Sequence, residues 1–407
     1  MLRNKFSTFL KTVFSITALV FAASCNDAPT EVGSGFVKDT TLVTQLATSE
    51  NTALLAQTRV ERIGRVRLND LVKNIGFGNP TILVGAAESG QKAYSFVNPG
   101  ILADSLADIT NDQIVSTTLV LPVAGYAFGD TTAEFSFSVH SLKKLWNYAD
   151  TLETVFPLSG STSEYFDENA VVATFKKTIN RSSDTAAELS IPKEIIADWF
   201  ATRDSSKGFA LAPNASSRYI QQFRALTSNL TPAMHIRVAY SRNGTPDTLK
   251  VPLTYYGSFV QSQGPSRPEE ILIQSGTSYR TAFDIDLTFI PQLSSIHSAR
   301  FVLHLKNEQI SSRRRRIVLL ERIPNSAGNF IDVLASYGVT SEDNPGRYEF
   351  TGLSARVEKW LRGERKGKLY IATENESETA DRIVFHGMDA DNTLRPRFEV
   401  LYSTRPR

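Results

Sequence analysis

Two stretches of the chain resemble each other at a distance of 161 residues, and this repeat constrains the fold more than any other feature. ADWFATRDSSKGFALAP covers residues 197–213, and EKWLRGERKGKLYIATE covers residues 358–374. Each stretch has a tryptophan, then a basic turn, a Lys-Gly pair and an apolar segment. Several unlike features recurring in the same order indicate a duplicated structural unit.

The spacing around each tryptophan predicts a short helix. Apolar residues stand at i, i+3 and i+4 in residues 196–200 and again in residues 357–361, which places them on one helix face. Most other readable segments alternate with period two. An example is EFSFSVH at residues 134–140, in which we expect Phe135, Phe137 and Val139 to point inward and the serines outward.

The order of these elements predicts a tandem duplication in an all-β chain. We place the first copy at residues 60–248, a linker region at 249–264 where Gly, Pro and Ser become frequent, and the second copy at 265–407. Many short strands with one Trp-bearing helix per copy favour two tandem antiparallel β-sandwich or jelly-roll domains.

The N-terminus reads as an export signal followed by a lipid attachment site. Residues 1–24 combine basic residues with a short apolar run that ends in small residues, which is typical of a signal peptide. Cys25, the only cysteine, follows directly and resembles the modified cysteine of bacterial lipoproteins. The alternative is an ordinary signal peptide with a stray thiol. Residues 25–59 are then expected to form a lipidated tether and lead-in.

Charge excludes one class of partner. Removing Arg3, Lys5 and Lys11 with the signal leaves 41 basic against 42 acidic residues, a net charge of about −1. Nucleic-acid-binding proteins usually show a basic excess, so no nucleic-acid partner is expected. With a single cysteine, no disulfide within the chain can stabilise the fold.

The second copy resembles the DNRLRE-type β-sandwich domain of bacterial secreted proteins, which is grouped with carbohydrate-binding modules. The resemblance is carried by TAFDIDLTFIPQLSSIHSARFVLHL, ARVEKWLRG and IVFHGMDADNTLRPRFEVLY, taken in this order. Together with the tether, the whole chain resembles uncharacterised Gram-negative lipoproteins. This resemblance implies polysaccharide binding or structural display, and it identifies no binding residue.

Two clusters are candidate ligand-binding residues. Four consecutive arginines, Arg313, Arg314, Arg315 and Arg316, could clamp a sulfated or uronic polysaccharide or lipid phosphate, or could be a solvated hairpin tip. Trp146 and Tyr148 could stack on a sugar ring, or could belong to the core or its rim.

A structural calcium ion is the one cofactor that the sequence suggests. Asp389 and Asp391 in DADN could supply oxygen ligands, although the motif lacks the central Gly and distal Glu of an established calcium loop, and a polar hairpin turn is the simpler explanation. His297 and His304 are seven residues apart on one predicted strand and therefore face opposite sides, so we expect ordinary strand positions rather than metal ligands.

We therefore expect a lipid-anchored outer-membrane lipoprotein, facing the cell surface or the periplasm, that binds polysaccharide without catalysis. One alternative is an assembly partner of another envelope protein. The other is a polysaccharide-active lyase or hydrolase, which needs only two suitably spaced carboxyl groups and no recognisable motif. The acyl chains would tether the protein, and two linked copies would raise avidity for a repetitive polymer.

Overall fold

A computed structural model describes most of the chain after residue 42. The described residues are 43–49, 54–62, 65–68, 71–74, 79–100, 102, 106, 108–144, 164–180, 183–202, 206–261, 270–276, 279–309, 316–324, 330–340, 342–374 and 376–404. Residues 46–402 form one compact unit. Residues 1–45 and 403–407 form the other, of which only 43–45 and 403–404 are described.

The chain is all-β with two short α-helices among its described residues, as the sequence predicts. The first four strands of the chain are β1 (Val43–Thr48), β2 (Leu55–Arg62), β3 (Arg65–Leu68) and β4 (Leu71–Asn74); β3 and β4 pair only with each other, although the prediction assigns them to the first copy. Those of the first copy are β5 (Thr81–Ala86), β6 (Lys92–Asn98), β7 (Ile114–Gly129), β8 (Phe135–Leu142), β9 (Phe166–Lys177), β10 (Ala186–Ser190), β11 (Phe209–Pro213), β12 (Tyr219–Arg224), β13 (His235–Arg242), β14 (Thr245–Pro252) and β15 (Tyr255–Gln261). Helix α1 (Lys193–Thr202) lies between β10 and β11.

The second copy repeats this order. Its strands are β16 (Ile271–Gln274), β17 (Tyr279–Asp286), β18 (Ser295–Gln309), β19 (Ile317–Pro324), β20 (Phe330–Thr340), β21 (Arg347–Phe350), β22 (Lys366–Thr373), β23 (Arg382–Phe385) and β24 (Arg397–Thr404). Helix α2 (Ser354–Arg362) precedes β22. No helix in the described part of the chain has the length and apolar character needed to cross a bilayer.

The strands of the two copies belong to two separate sheets with matching pairings. In the first, β12 lies between β5 and β7, and β11 lies between β6 and β8. In the second, β23 lies between β16 and β18, and β22 lies between β17 and β19. Eight strands of the second sheet, β18-β21-β20-β19-β22-β17-β16-β23, close into a barrel through the β18–β23 pairing, whereas the first sheet is curled and stays open between β14 and β9.

Segments outside the two predicted copies complete both sheets. The lead-in strand β2 pairs with β17 of the second sheet, although its last residues, 60–62, were assigned to the first copy. Residues 249–261, assigned to a linker from composition, instead form the end of β14 and all of β15, which pair with β13 and β6. The Asn243-Gly244 turn, with φ of 52° and 78°, makes the β13–β14 hairpin. Residues 262–264 lie outside the described residues.

Both Trp helices bury the apolar face that the spacing predicts. The buried residues are Ile196, Trp199 and Phe200 in α1, and Val357, Trp360 and Leu361 in α2. Each set belongs to the large apolar core of its own copy. The glycine after each helix is required for a different reason. Gly208 has φ +90° and a Cβ there would lie 2.2 Å from the Val97 carbonyl oxygen, whereas a Cβ on Gly367 would lie 2.4 Å from the Trp360 indole.

Strand β8 departs from the expected inward and outward alternation. Phe135, Phe137 and Val139 lie in the core as predicted. Ser136 and Ser138 point to the other face but are also buried, at 1% and 6% exposure, because the β11–β12 turn covers them. Asn214 in that turn hydrogen-bonds to both serine hydroxyls. The prediction of solvent-exposed serines is therefore wrong, since alternation cannot show whether the second face is covered.

The loop before β23 packs on the outer face of the first sheet. The Tyr126 hydroxyl of β7 donates to Asp381 Oδ1 at 2.9 Å and accepts from the Ala380 backbone N–H at 2.9 Å. Ala380 also joins a small apolar cluster with Phe128, Ile220 and other residues of the first copy. The two copies therefore contact each other through buried hydrogen bonds of Tyr126 that are surrounded by apolar side chains.

Tyr126→Phe should destabilise the protein more than the same change at an exposed tyrosine. The substitution removes a donor to a buried carboxylate and leaves the Ala380 N–H without this acceptor, which costs about 1–3 kcal/mol. Tyr240→Phe is the matched control, because the Tyr240 hydroxyl donates to Asp247 at an exposed site, and we expect a change within about 0.5 kcal/mol there. Urea-unfolding midpoints measure both. Equal shifts of the two urea midpoints would show that the buried Tyr126 contact between the copies contributes no more stability than an exposed hydrogen bond.

Candidate functional site

Most of the residues predicted to bind ligand lie outside the described residues. These are Cys25, Trp146, Tyr148, Arg313, Arg314 and Arg315. Arg316 is described and immediately precedes β19. Its side chain is 72% exposed, lies 3.9 Å from the Glu374 carboxylate and stands over the Tyr337 ring at 5.7 Å. Arg316 is thus accessible, and its one close carboxylate is at the limit of ion-pair distance.

The predicted calcium residues lie in an exposed turn. Asp389 and Asp391 are both exposed, and the Asp391 carbonyl oxygen accepts from the N–H groups of Leu394 and Arg395. Within the described ranges, no three His, Cys, Asp or Glu side chains are grouped closely enough to hold a metal ion. His297 and His304 both lie on β18; His297 is exposed, and partial burial lowers the pKa of His304.

The duplicated sheets differ most on the face that points away from each core. This outer face is formed by β15, β6, β11, β8 and β9 in the first copy and by β2, β17, β22, β19 and β20 in the second. The registers of these strands place the two faces in correspondence. Equivalent positions are Phe259 and Glu61, Tyr94 and Arg280, Phe96 and Ala282, Ala210 and Tyr370, Leu142 and Arg322, and Phe166 and Asp332.

In the first copy, aromatic side chains fill much of this face. The Phe96 ring is 5.4 Å from Tyr165, 6.3 Å from Phe166 and 5.1 Å from Phe259, measured between ring centroids. All four residues are buried in one cluster, separate from the main core. The chain therefore covers this part of the face with its own side chains.

In the second copy, the equivalent positions carry charges. Arg280 is only 1% exposed, and its guanidinium donates to Asp332 at 2.8 Å and to Glu376 at 2.9 Å. Burial alone would lower the pKa of Arg280, but these two carboxylates outweigh it and raise that pKa. Burial would raise the pKa of Asp332, but Arg322 and Arg280 hold that pKa below its usual value. Arg280 and Asp332 therefore both remain ionised.

A second set of charges extends this network toward solvent. The Tyr370 hydroxyl donates to Glu61 at 2.9 Å, and Lys368 donates to the same carboxylate at 3.1 Å. The Arg322 guanidinium lies 4.5 Å above the Tyr370 ring. We call Arg59, Glu61, Arg280, Asp284, Arg322, Asp332, Lys368, Tyr370 and Glu376 the ionic face.

A cleft of about 850 Å³ borders the ionic face next to helix α2. Asp284, Arg322 and Lys368 of the ionic face line it together with Trp360 and Glu321. The Trp360 Nε1–H donates to Glu321 Oε1 at 2.8 Å, and this carboxylate is buried. We call this space the Trp360 cleft.

Two of the four acidic residues that line the Trp360 cleft are paired with arginines, and exposed lysines lie at its rim. Asp284 pairs with Arg59, and Glu321 lies 3.2 Å from Arg356 Nε. The Lys359 side chain is 65% exposed, and its ammonium is 4.0 Å from Glu321. Lys366 is also exposed at the rim. The cleft can therefore hold an anionic group near these two lysines.

The carboxyl groups with shifted pKa values are not suited to acid catalysis. Among the described residues, the pKa is lowered for Glu61, Asp130, Asp184, Glu188, Asp286 and Asp332. A general acid that works near neutral pH needs a raised carboxyl pKa. None of these six groups is a candidate for that role.

Sequence reasoning missed the ionic face because its members are single polar residues on strands far apart in sequence. The correspondence between the two outer faces is visible only in the folded chain. The strand registers place Arg280 at the position equivalent to Tyr94, and Asp332 at the position equivalent to Phe166. An ungapped alignment of residues 82–97 with 271–286 instead places Tyr94 opposite Phe283.

Comparison with known proteins does not identify this chain. No protein-family model and no curated protein matches it. Among solved structures, the C-terminal domain of the Streptococcus agalactiae AgI/II polypeptide BspA aligns over 86% of this chain and 91% of its own, with 10% identity and a TM-score of 0.17. A chain titled BspA_C_mut aligns over 81% and 92%, with 10% identity and a TM-score of 0.13. Such low TM-scores do not establish a shared fold.

Proposed function

We propose that this chain is a lipid-anchored cell-envelope protein that binds an anionic polysaccharide in the Trp360 cleft without cleaving it. The observation that carries the proposal is an open cleft with two exposed lysines at its rim, in which Asp284 and Glu321 are paired with arginines. A volume of about 850 Å³ fits a short oligosaccharide. Sulfate and uronate groups would pair with Lys359 and Lys366, and the sugar hydroxyls with the ionic face.

The anchor and the layout of the proposal rest on sequence. The signal-like residues 1–24 and Cys25 support an outer-membrane lipoprotein on the cell-surface or periplasmic side. The duplication and the separation of the strands into two sheets support two tandem bodies, and the DNRLRE-like pieces support the β-sandwich or jelly-roll type for them. Tethering a binding protein to the membrane would hold the polymer at the envelope.

One observation favours a second candidate, an assembly partner of another envelope protein. Strand β20 exposes Leu334, Tyr337 and Val339, at 40%, 43% and 63%. Apolar side chains exposed together on one strand are a common feature of protein-binding surfaces. A single envelope protein captured stoichiometrically from cells, without any glycan binding, would favour this role.

The direct test is a glycan-binding measurement with the mature protein and rim variants. Lys359→Glu/Lys366→Glu should weaken binding of polygalacturonate, alginate or chondroitin sulfate at least 10-fold, because both rim charges are reversed. Glu364→Gln should strengthen it, since Glu364 is an exposed acid lining the same cleft. Binding should fall as salt is raised.

The matched control is Lys176→Glu/Lys177→Glu, which reverses two adjacent exposed lysines on β9 and should leave affinity within about twofold. Replacing Arg313–Arg316 with alanine tests whether the arginine run contributes to the same interaction. Equal loss in the rim and control variants would overturn the cleft assignment. If the protein converted the glycan into shorter products, the proposed binding function would be wrong and the protein would be an enzyme.

A further inference from the structure

A smaller cavity opens on the outer face of the first copy, beyond the part filled by aromatic side chains. Its volume is about 560 Å³. Polar side chains from three strands and one turn line it: Tyr94 of β6, Ser138 and His140 of β8, Glu168 of β9, and Asn214 between β11 and β12. We call this cavity the His140 slot. It lies on a different sheet from the Trp360 cleft.

His140 is buried yet has one ring nitrogen that the protein does not use. The imidazole is 3% exposed, and its Nδ1 lies 2.9 Å from the Asp167 carbonyl oxygen and 3.2 Å from that of Ala170. Carbonyl oxygens only accept hydrogen bonds, so we assign the Nδ1 proton to this pair. Nε2 makes no hydrogen bond to any described residue, and the ring lines the slot. In the neutral ring, Nε2 is therefore an acceptor available to a bound hydroxyl group.

The neighbouring amide is held in one orientation by two hydroxyl groups. Ser138 Oγ donates to Asn214 Oδ1 at 2.7 Å, and Asn214 Nδ2 donates to Ser136 Oγ at 2.8 Å. Asn214 has a second N–H, and the Ser138 oxygen retains acceptor capacity. Burial and the charge of Glu168 raise the pKa of Tyr94 to about 12, so its hydroxyl stays protonated. Fixed donors and acceptors thus stand side by side.

The remaining lining of the His140 slot combines small apolar residues with exposed charged ones. Ala87, Ala212, Pro213 and Ala215 contribute no long side chains, and Val171 is 50% exposed at the opening. Glu88, Lys92 and Arg218 also line the slot, and Arg218 Nε lies 3.6 Å from the Glu88 carboxylate. The small residues leave an apolar surface on which the C–H face of a sugar ring can lie beside the oriented polar groups.

The second copy has no equivalent of this polar site. The backbone N–H of Asn214 donates to Ser136 O, and that of Glu374 donates to Arg316 O, which identifies these two pairs as equivalent positions. Arg316 and Glu374 form a charge pair where the first copy has a hydroxyl and an amide. The His140 slot is therefore specific to the first copy.

We propose that the His140 slot is a second saccharide-binding site, which takes one hydroxyl-rich sugar ring through His140 Nε2, Ser138 and Asn214. The proposal rests on the polysaccharide-binding function proposed above and adds a second contact on the other copy. A polymer that reaches both sites would be held by two weak interactions on one chain, which raises its overall affinity.

Two variants test the slot. Val171→Arg places a long side chain at the opening from an exposed position. His140→Asn keeps an N–H that can reach the Asp167 and Ala170 carbonyl oxygens but removes the acceptor at Nε2. Val115→Arg is the matched control, because Val115 is 69% exposed on β7 and does not line the slot.

Calorimetric titration of the mature protein with tetragalacturonate, tetramannuronate, xylotetraose and cellotetraose is the measurement. With the two uronate tetramers we expect two sites per chain for the native protein and one for Val171→Arg, whereas the two neutral tetramers should occupy the slot alone. His140→Asn should weaken the second site at least fivefold at a temperature where circular dichroism shows the variant to be folded, and Val115→Arg should leave both sites intact. The slot proposal alone would be overturned if Lys359→Glu/Lys366→Glu abolished all binding while Val171→Arg and His140→Asn left binding unaltered. No binding of any of the four by the native chain would overturn both proposals.

Discussion

Arg280→Met is expected to lower the free energy of unfolding by about 3–5 kcal/mol, the range for removing one partner of a buried ion pair. Arg280 lies between Asp332 and Glu376, whose side chains are 3% and 12% exposed. Methionine fills much of the same volume but leaves these carboxylates without their central cation. Urea unfolding followed by tryptophan fluorescence measures the loss.

The matched control for this variant is Arg237→Met. Two guanidinium nitrogens of Arg237 donate to the Glu188 carboxylate, as those of Arg280 do to their partners. Both the Arg237 and the Glu188 side chains, however, are at least 40% exposed. Exposed pairs of this kind contribute about 0–1 kcal/mol. Adding Asp332→Asn and Glu376→Gln to Arg280→Met should recover part of the loss, since the carboxylates are then neutral. Similar losses in Arg280→Met and Arg237→Met would show that burial does not govern the strength of the network.

The same network makes stability depend on pH in a known direction. The pKa of Asp332 is lowered in the folded protein, so its contribution is present above the ordinary aspartate pKa and is lost as pH falls through the lowered value. The native protein should therefore lose stability on acidification below about pH 4. In Arg280→Met the pKa of Asp332 should rise, and this loss on acidification should become smaller.

Trp360→Ala is expected to destabilise the protein by about 3–5 kcal/mol and to disrupt the Trp360 cleft. The indole is 6% exposed, packs over Gly367 and donates to the buried Glu321 carboxylate. Trp360→Phe separates these effects, because it keeps most of the packing and removes only the N–H donor. We expect about 1–3 kcal/mol for that change.

Trp199→Ala provides the comparison in the other copy. Trp199 is equally buried and packs on Phe209 at 4.7 Å between ring centroids. Its removal should cost similar stability but leave polysaccharide affinity at the Trp360 cleft unchanged, when both are measured at a temperature where the variants remain folded. Equal loss of affinity in the two alanine variants would mean that the cleft is not the binding site.

The local spacing of apolar residues in the sequence predicted the helices, many of the strands and the all-β class. The two Trp helices, the strands that follow them and the all-β class were predictable because each depends on residues that are close in sequence. The periodicity of apolar residues shows which face of a helix or strand is apolar, and the same periodicity occurs in both copies. The same reasoning could not show that Ser136 and Ser138 are buried, since the covering residue, Asn214, lies more than 70 positions away.

Pairing between distant strands was beyond the reach of composition and spacing. Nothing in LAQTRVER states that it lies beside YRTAFDID, and nothing local marks Arg280 as the centre of an ion network. Both depend on where the chain returns after a long excursion. The candidate sites were missed for the same reason, because each is assembled from strands that meet only in the folded protein.

The position of β2 has a consequence for how the protein is made. Arg59 of β2 and its partner Asp284 of β17 are 225 residues apart along the chain. The ribosome completes β2 early, but its pairing partner β17 emerges only after most of the polypeptide has been made. Contacts over such distances slow folding and leave the edge of β2 unpaired in the meantime.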